Sequence, residues 1–247
     1  MKKIKALLAS IFLLPIATLA GDLNSSTAFY DIHYYGYEEP GVMTVKSKIP
    51  ALTIGYRDET AIRSSNGSTT GMSFNIEGTI GHTEYNGSGT HSHNFYKFMG
   101  ELYAPVLGNV YAGLGYRRLL DDFGPGRTST NAATYDRLSQ YFYLPIGAVL
   151  KVADGASTKL QFNYFIKGRQ ISYLTQVSGY YNDADNTQDS GYGVDLSYTA
   201  PKGNWEAYIR YWNIGSSDLV LVRSSGGSSY VYEPKNNTIE IGIRASF

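Results

Sequence analysis

The 247-residue sequence has no cysteine. That excludes a disulfide framework, a thiolate metal site, a cysteine nucleophile and a lipid anchor on a cysteine. It also lacks an apolar run long enough to cross a bilayer as a helix, which takes about 20 residues. The longest, Ala6 to Leu14, stops at Pro15. Net charge is missing too, with 21 basic and 21 acidic side chains. A nucleic-acid binder needs a concentrated basic face, so that partner class is excluded. No Gly-x-Ser-x-Gly nucleophile motif occurs, and Gly113-x-Gly115 lies in a strand pattern with no helix after it, so it is no phosphate cradle.

What the sequence has in quantity is tyrosine, glycine and alternation. There are 23 Tyr, 10 Phe and 27 Gly. From Asn237 to Phe247 the residues Ile239, Ile241, Ile243, Ala245 and Phe247 interleave with Thr238, Glu240, Gly242, Arg244 and Ser246. That is a period of two without a slip, one face apolar and the other polar. It resembles the terminal strand of bacterial outer-membrane β-barrels, whose assembly machinery recognises a final Phe preceded by alternating apolar residues. The resemblance implies that Ile239, Ile241, Ile243, Ala245 and Phe247 are the assembly signal. At the other end, Lys2, Lys3 and Lys5 precede the short apolar run, and Thr18-Leu19-Ala20 supplies small residues, the pattern of a cleaved signal peptide over 1–20. Its removal takes away three lysines, leaving 18 basic and 21 acidic groups on residues 21–247.

The same alternation recurs along the chain. Expected strands run over 27–38, 49–58, 72–84, 94–104, 110–120, 137–152, 158–173, 192–198, from Trp205 to Trp212, and over the closing segment. Val42 to Lys48 could extend the second strand. The connection Ser64 to Gly71 is the weakest point of the count. Short turns at 105–109, 153–157 and 201–204 alternate with long polar loops at 121–136, 174–190 and 217–235. Transmembrane barrels show this asymmetry between periplasmic turns and extracellular loops. The expected fold is therefore all-β: an antiparallel up-and-down transmembrane barrel of about ten strands, with eight or twelve compatible with the same pattern. Pro145, on an inner face, predicts a bulge or a weakened ladder.

Periodicity alone does not say which face is inside. Charges at mid-strand on one set, and their near absence from the other, turn the charged set inward, because a lipid-facing charge at mid-bilayer costs about 2–4 kcal/mol. By parity the lumen takes Asp31, Glu77, Glu101, Asp195, Glu206 and Glu240. Facing them are Arg57, Lys97, Arg117, Lys151, Lys159, Lys167, Arg169, Arg210 and Arg244, with His33. Opposed charges in so narrow a space should pair. Glu206/Arg210 and Glu240/Arg244 are placed to form a ladder. The expected role of most of them is a salt-bridged plug; the surplus of bases alternatively lines a narrow pathway favouring small anions.

Asp31 and His33 share one face of the first strand. Omptin proteases, a family of ten-stranded barrels, use Asp and His at the outer end, and the pair is similar to that extent. The chain is short for that family and has no matching pair of acids on another strand, so a packing and hydrogen-bond pair is the expected role. His91 and His93, with His82 nearby, are expected in a solvated loop rather than around a metal. No cofactor is expected. The function expected is that of a structural or surface-interaction barrel or a narrow porin-like channel in the cell outer membrane. An outer-membrane enzyme, omptin-like or modifying lipid A, is the alternative. The expected partners are outer-membrane lipid and lipopolysaccharide, the barrel-assembly machinery and an extracellular ligand held by the loops.

Overall fold

The computed structural model describes residues 26–63, 71–201 and 203–247. The expected signal peptide and the Ser64–Thr70 connection lie outside the described residues. Three strands fill the first two positions of the ring: β1 (Ser26–Glu39), then β2 (Met43–Ser47) and β3 (Ala51–Asp58), which are two pieces of one position. Both pieces pair with β1 on one side and with β4 (Ser73–Gly87) on the other. A single helical turn, α1 (Thr60–Arg63), lies between β3 and β4. The ring continues through β5 (Gly89–Leu107) and β6 (Val110–Asp122). After a loop carrying β7 (Gly126–Arg127) and β8 (Ala133–Thr134) come β9 (Arg137–Lys151) and β10 (Ser157–Ser172). β11 (Ala184–Gln188) pairs with the outer end of β10, and β12 (Gly191–Thr199) with the rest of it. β13 (Trp205–Ile214), the small hairpin β14 (Val220–Ser224) with β15 (Gly227–Val231), and β16 (Asn236–Ser246) complete the chain.

β16 closes the ring on β1, from Phe29↔Ser246 to Glu38↔Asn237. Every pairing is antiparallel, and ten positions run round the circle. Closure removes the sheet edges, so the ring's backbone donors and acceptors are met between strands without water.

Alternation sorts the side chains. Ile32, Ile54, Ile76, Ile80, Leu160, Ile241 and Ile243 are each about half exposed on the outside. Their neighbours Asp31, Thr53, Glu77, Gln161, Glu240 and Arg244 are buried within. The ring is an inverted protein, polar at its centre and apolar at its surface, and such an exterior is stable only against lipid.

The strand map differs from the sequence reading in two places and agrees with it at Pro145. Tyr85 to Ser92 is not a loop: β4 and β5 continue past the ring as one hairpin turning at Ser88, with Gly87 facing Gly89. Gly89 supplies the positive φ (+92°) that the tight turn needs. His91 and His93 therefore sit on a strand. At Pro145 the β6–β9 pairing jumps from Ala112↔Ile146 to Gly115↔Tyr143, while the β10 side pairs without a break. The ladder is weakened on the side where proline has no N–H to give. Finally, β10 bulges between Phe165 and Lys167, which reverses the parity of everything after it.

An Ile241→Lys substitution, on the exposed outer row of β16, should lower stability by about 2–4 kcal/mol. Urea unfolding in lipid vesicles measures this, and an unchanged midpoint would mean the row does not face acyl chains.

Candidate functional site

The inner faces of β1, β3, β4, β5, β6, β13 and β16 bring their charges to one axis. Glu240 is at its centre, fully buried: Lys97 Nζ lies 2.5 Å away, Arg210 Nη1 3.1 Å and Arg117 Nη2 3.7 Å. Glu77 takes Arg210 at 2.7 Å, Arg244 at 3.1 Å and Lys97 at 3.8 Å. Glu206 accepts from Arg57 at 2.8 Å and Arg244 at 3.2 Å. The ladder expected on the shared face of these adjacent strands runs across β13 and β16, with Glu206 opposite Arg244 and Arg210 opposite Glu240. Directly opposed residues on one face are the nearest neighbours a sheet offers.

Two carboxylates are held differently. Glu101 touches no base among the described residues. It accepts from the hydroxyls of Tyr103 (2.5 Å) and Tyr143 (2.9 Å) and from Gln161 Nε2 (2.9 Å). Asp195 has Arg210 Nε at 3.4 Å and accepts from Gln161 and Asn163. The cavity between them measures about 30 Å³ and is lined by Asn75, Glu101, Lys159, Asp195, Glu206 and Arg210, among others. That is roughly the share of one water in the liquid.

Each end of the lumen is tied off. At the end where the ring's short turns lie, Glu59, just past β3, binds Lys159 at 2.8 Å and Arg63 at 2.6 Å, with Arg57 at 3.9 Å. Ile62 of α1 packs on Tyr103, Tyr111 and Val149. Burial pushes the Glu59 carboxyl up, but Lys159, Arg63 and Arg57 outweigh it and hold the group well below the usual carboxylate range. At the opposite end Arg137 binds Glu39 at 2.7 Å, the Tyr37 hydroxyl at 3.3 Å and Glu233 of the β13–β16 loop. The loop is thereby drawn across the opening.

Of the residues expected in the lumen, Asp31, His33, Arg57, Glu77, Lys97, Glu101, Arg117, Glu206, Arg210, Glu240 and Arg244 are buried there, and Asp195 and Lys159 are partly so. Lys167 and Arg169 are not. The bulge turns both to the outside, where Arg169 meets Asp185 of β11 with both side chains about half exposed. Lys151 is exposed as well, on the last residue of β9, where the strand leaves the ring. Removing these three leaves six bases against the six acids, so the surplus that suggested an anion pathway disappears.

His33 Nδ1 is 2.8 Å from Asp31 Oδ1, and Asp31 is also held by Arg244 and the Tyr208 hydroxyl. The pair lies deep inside β1, away from the rim where Glu39 sits. His93, far from solvated, is buried with its ring stacked 3.7 Å from Phe123 and 3.6 Å from Asp121 Oδ1. No cluster of three metal-ligating side chains occurs among the described residues. Parity extended down β9 would have found Arg137. No pattern pointed to Glu233, which comes from an irregular loop, or to Glu59, which follows the end of a strand.

A closed antiparallel ring with an apolar exterior and an ionised axis has one architecture. The chain is built as a membrane-spanning β-barrel. No protein-family model matches it, and no curated protein does. Among solved structures it is similar to the outer membrane protease OmpT from Escherichia coli, at 11% identity and a TM-score of 0.47 over 94% of this chain and 99% of that one. The β domain of the Bordetella autotransporter BrkA follows at 12% identity and 0.42 over 91% and 100%. The translocator domain of NalP from Neisseria meningitidis stands at 9% and 0.43 over 100% and 94%.

Glu77→Gln removes one charge from a buried set and leaves its bases uncompensated, a loss of about 3–5 kcal/mol. The urea midpoint of the refolded barrel reports it; a shift under 1 kcal/mol on that scale would show the network to be dispensable. Glu59 adds a pH dependence. Its folded-state carboxyl titrates lower than the ordinary value of about 4.5, so its contribution is complete above that pH and is lost as pH falls further. The stability gap between the wild type and Glu59→Gln should therefore narrow below that value. A gap that widens on acidification would contradict the assignment.

Proposed function

We propose that this chain is a closed outer-membrane barrel that acts through its extracellular loops and does not conduct. The carrying observation is the occupied axis, where Lys97, Arg117, Glu77 and Glu240 are each at most 3% exposed. Moving an ion along that axis means separating buried pairs, each with a penalty of several kcal/mol. Six of the expected bases face six acids there, and the two ends add Glu39, Glu59 and Glu233 against Arg63 and Arg137, so no surplus of bases is left to select an anion.

The loops support the other half of the reading. On the β14–β15 hairpin Leu221 faces Tyr230, and both are exposed, at 41% and 70%. The hairpin's base is tied to the barrel through Glu233, and its first strand to the β10–β11 loop through Asn182, which bonds Leu221 O and Arg223 N. A scaffold that holds aromatic and aliphatic side chains in the open offers a contact surface. An enzymatic reading has little to stand on, since Asp31 is engaged with His33, Arg244 and Tyr208 inside the wall.

In planar bilayers the purified barrel should give no ohmic steps across a range of voltages. Steps that vanish on changing Arg210 or Arg244 would replace this reading with that of a channel. Trypsin added to intact cells should cut after Arg127 or Arg223 and spare the ring; protection of both sites would place these loops on the wrong side.

A further inference from the structure

The bulge in β10 does more than empty the lumen of two bases. It sets Lys167 opposite Phe142 and Arg169 opposite Gln140 on the outer face of β9. On the other side of β9, Tyr116 faces Phe142 and Arg118 faces Gln140. Two adjacent rows result: Tyr116–Phe142–Lys167, and next to it, toward the loops, Arg118–Gln140–Arg169. With strands about 4.8 Å apart, the backbones carrying the two arginines are roughly 10 Å from one another.

We infer that Arg118, Lys167 and Arg169 form a binding site on the barrel's outer wall for the phosphate of a lipid headgroup in the outer leaflet. Three features make it a built site. The first is charge: Arg118, Lys167 and Arg169 gather on one stretch of the outer wall, where Arg169 pairs with Asp185 at 2.7 and 2.5 Å and Lys167 is exposed. The second is level. Tyr116 and Phe142, with centroids 4.9 Å apart, lie directly on the membrane side of the basic row, and Phe98, 6.4 Å from Tyr116, stands in the row itself opposite Arg118. Aromatic rings of this kind mark the headgroup boundary, so the cations stand at the depth of phosphates. The third is fixed geometry. Gln140 Nε2 donates to the Tyr116 hydroxyl at 2.7 Å, and Asp185 grips Arg169 in a fork, so the row is ordered without a ligand. Ile166, on the membrane side of Lys167 and 46% exposed, continues into the apolar wall that acyl chains would cover. A lipid-borne phosphate uses both the cations and that wall; inorganic phosphate uses only the cations.

The inference rests on the ring spanning a membrane, but not on whether it conducts. Native mass spectrometry of the detergent-solubilised barrel tests it, with phosphatidic acid, phosphatidylcholine and inorganic phosphate as probes. The wild type should retain phosphatidic acid in preference to phosphatidylcholine. The Arg118→Gln/Lys167→Gln variant should lose that retention about tenfold or more. Arg127→Gln/Arg223→Gln, which removes the same charge from the loops, should retain it like the wild type. Equal retention in both variants overturns the site, and so does competition by inorganic phosphate at equal concentration. If the double variant does not fold, as judged by heat-modified gel migration, Lys167→Ala alone at its exposed position carries the same comparison. Conductance from the same preparation keeps the outcomes separate: ohmic steps with lipid retention intact would remove the closed-barrel reading and leave this one.

Discussion

Everything inside this barrel follows from the cost of holding an ion where water does not reach. A lone buried carboxylate or guanidinium is penalised by several kcal/mol, and an opposite charge at hydrogen-bond distance offsets it only when the geometry is good. Ten strands enclose a space little wider than side chains fill. The charges therefore share partners. Glu240 serves Lys97, Arg210 and Arg117, while Arg244 spans Asp31, Glu77 and Glu206. Each ion links several strands around the circle, so the network braces the wall as well as filling it.

The tyrosines and glycines belong to the same solution. Tyr103 and Tyr143 put their hydroxyls on Glu101, giving a carboxylate without a cation the donors it needs. Tyr143 reaches that position by laying its ring over Gly115 on the neighbouring strand, where a methyl group would strike the ring. Inside a narrow ring an aromatic side chain must lie along the wall, and the wall must be bare beneath it. This is one physical reason for so much Tyr and Gly in a chain whose hydropathy is unremarkable.

How much of this is written in the sequence depends on whether the signal is periodic. The ten positions, their order and the long inward list are legible because alternation repeats over ten or more residues per strand. Val42 to Lys48 does extend the second position, on the far side of a break at Lys48–Pro50. Pairing partners are less visible: Glu206 with Arg244 depends on the register between strands, which one strand's pattern does not contain. The end clamps are least visible. Glu59 and Glu233 lie in irregular segments, where neither period nor parity assigns a direction. The His91–His93 stretch reads as a loop because Gly, Ser and Thr surround it, although Gly87 and Gly89 mark a single tight turn.

The bulge in β10 shows how a small backbone event changes chemistry. Parity carried through Ile166 turns Lys167 and Arg169 to the axis, where they would add two cations with no acids to receive them. One unpaired residue sends both outward instead. The interior keeps its balance, and the exterior gains cations above its aromatic rows. A bulge leaves no mark in composition and only a faint one in sequence, here two consecutive outward residues, Ile166 and Lys167. Yet it decides whether the axis is neutral or basic, and that difference separates a braced plug from an anion path. The energetics favour the bulge on both counts. A locally disrupted ladder costs a hydrogen bond or so, worth about 0.5–1.5 kcal/mol, whereas each unpaired ion buried in the lumen would cost several times as much.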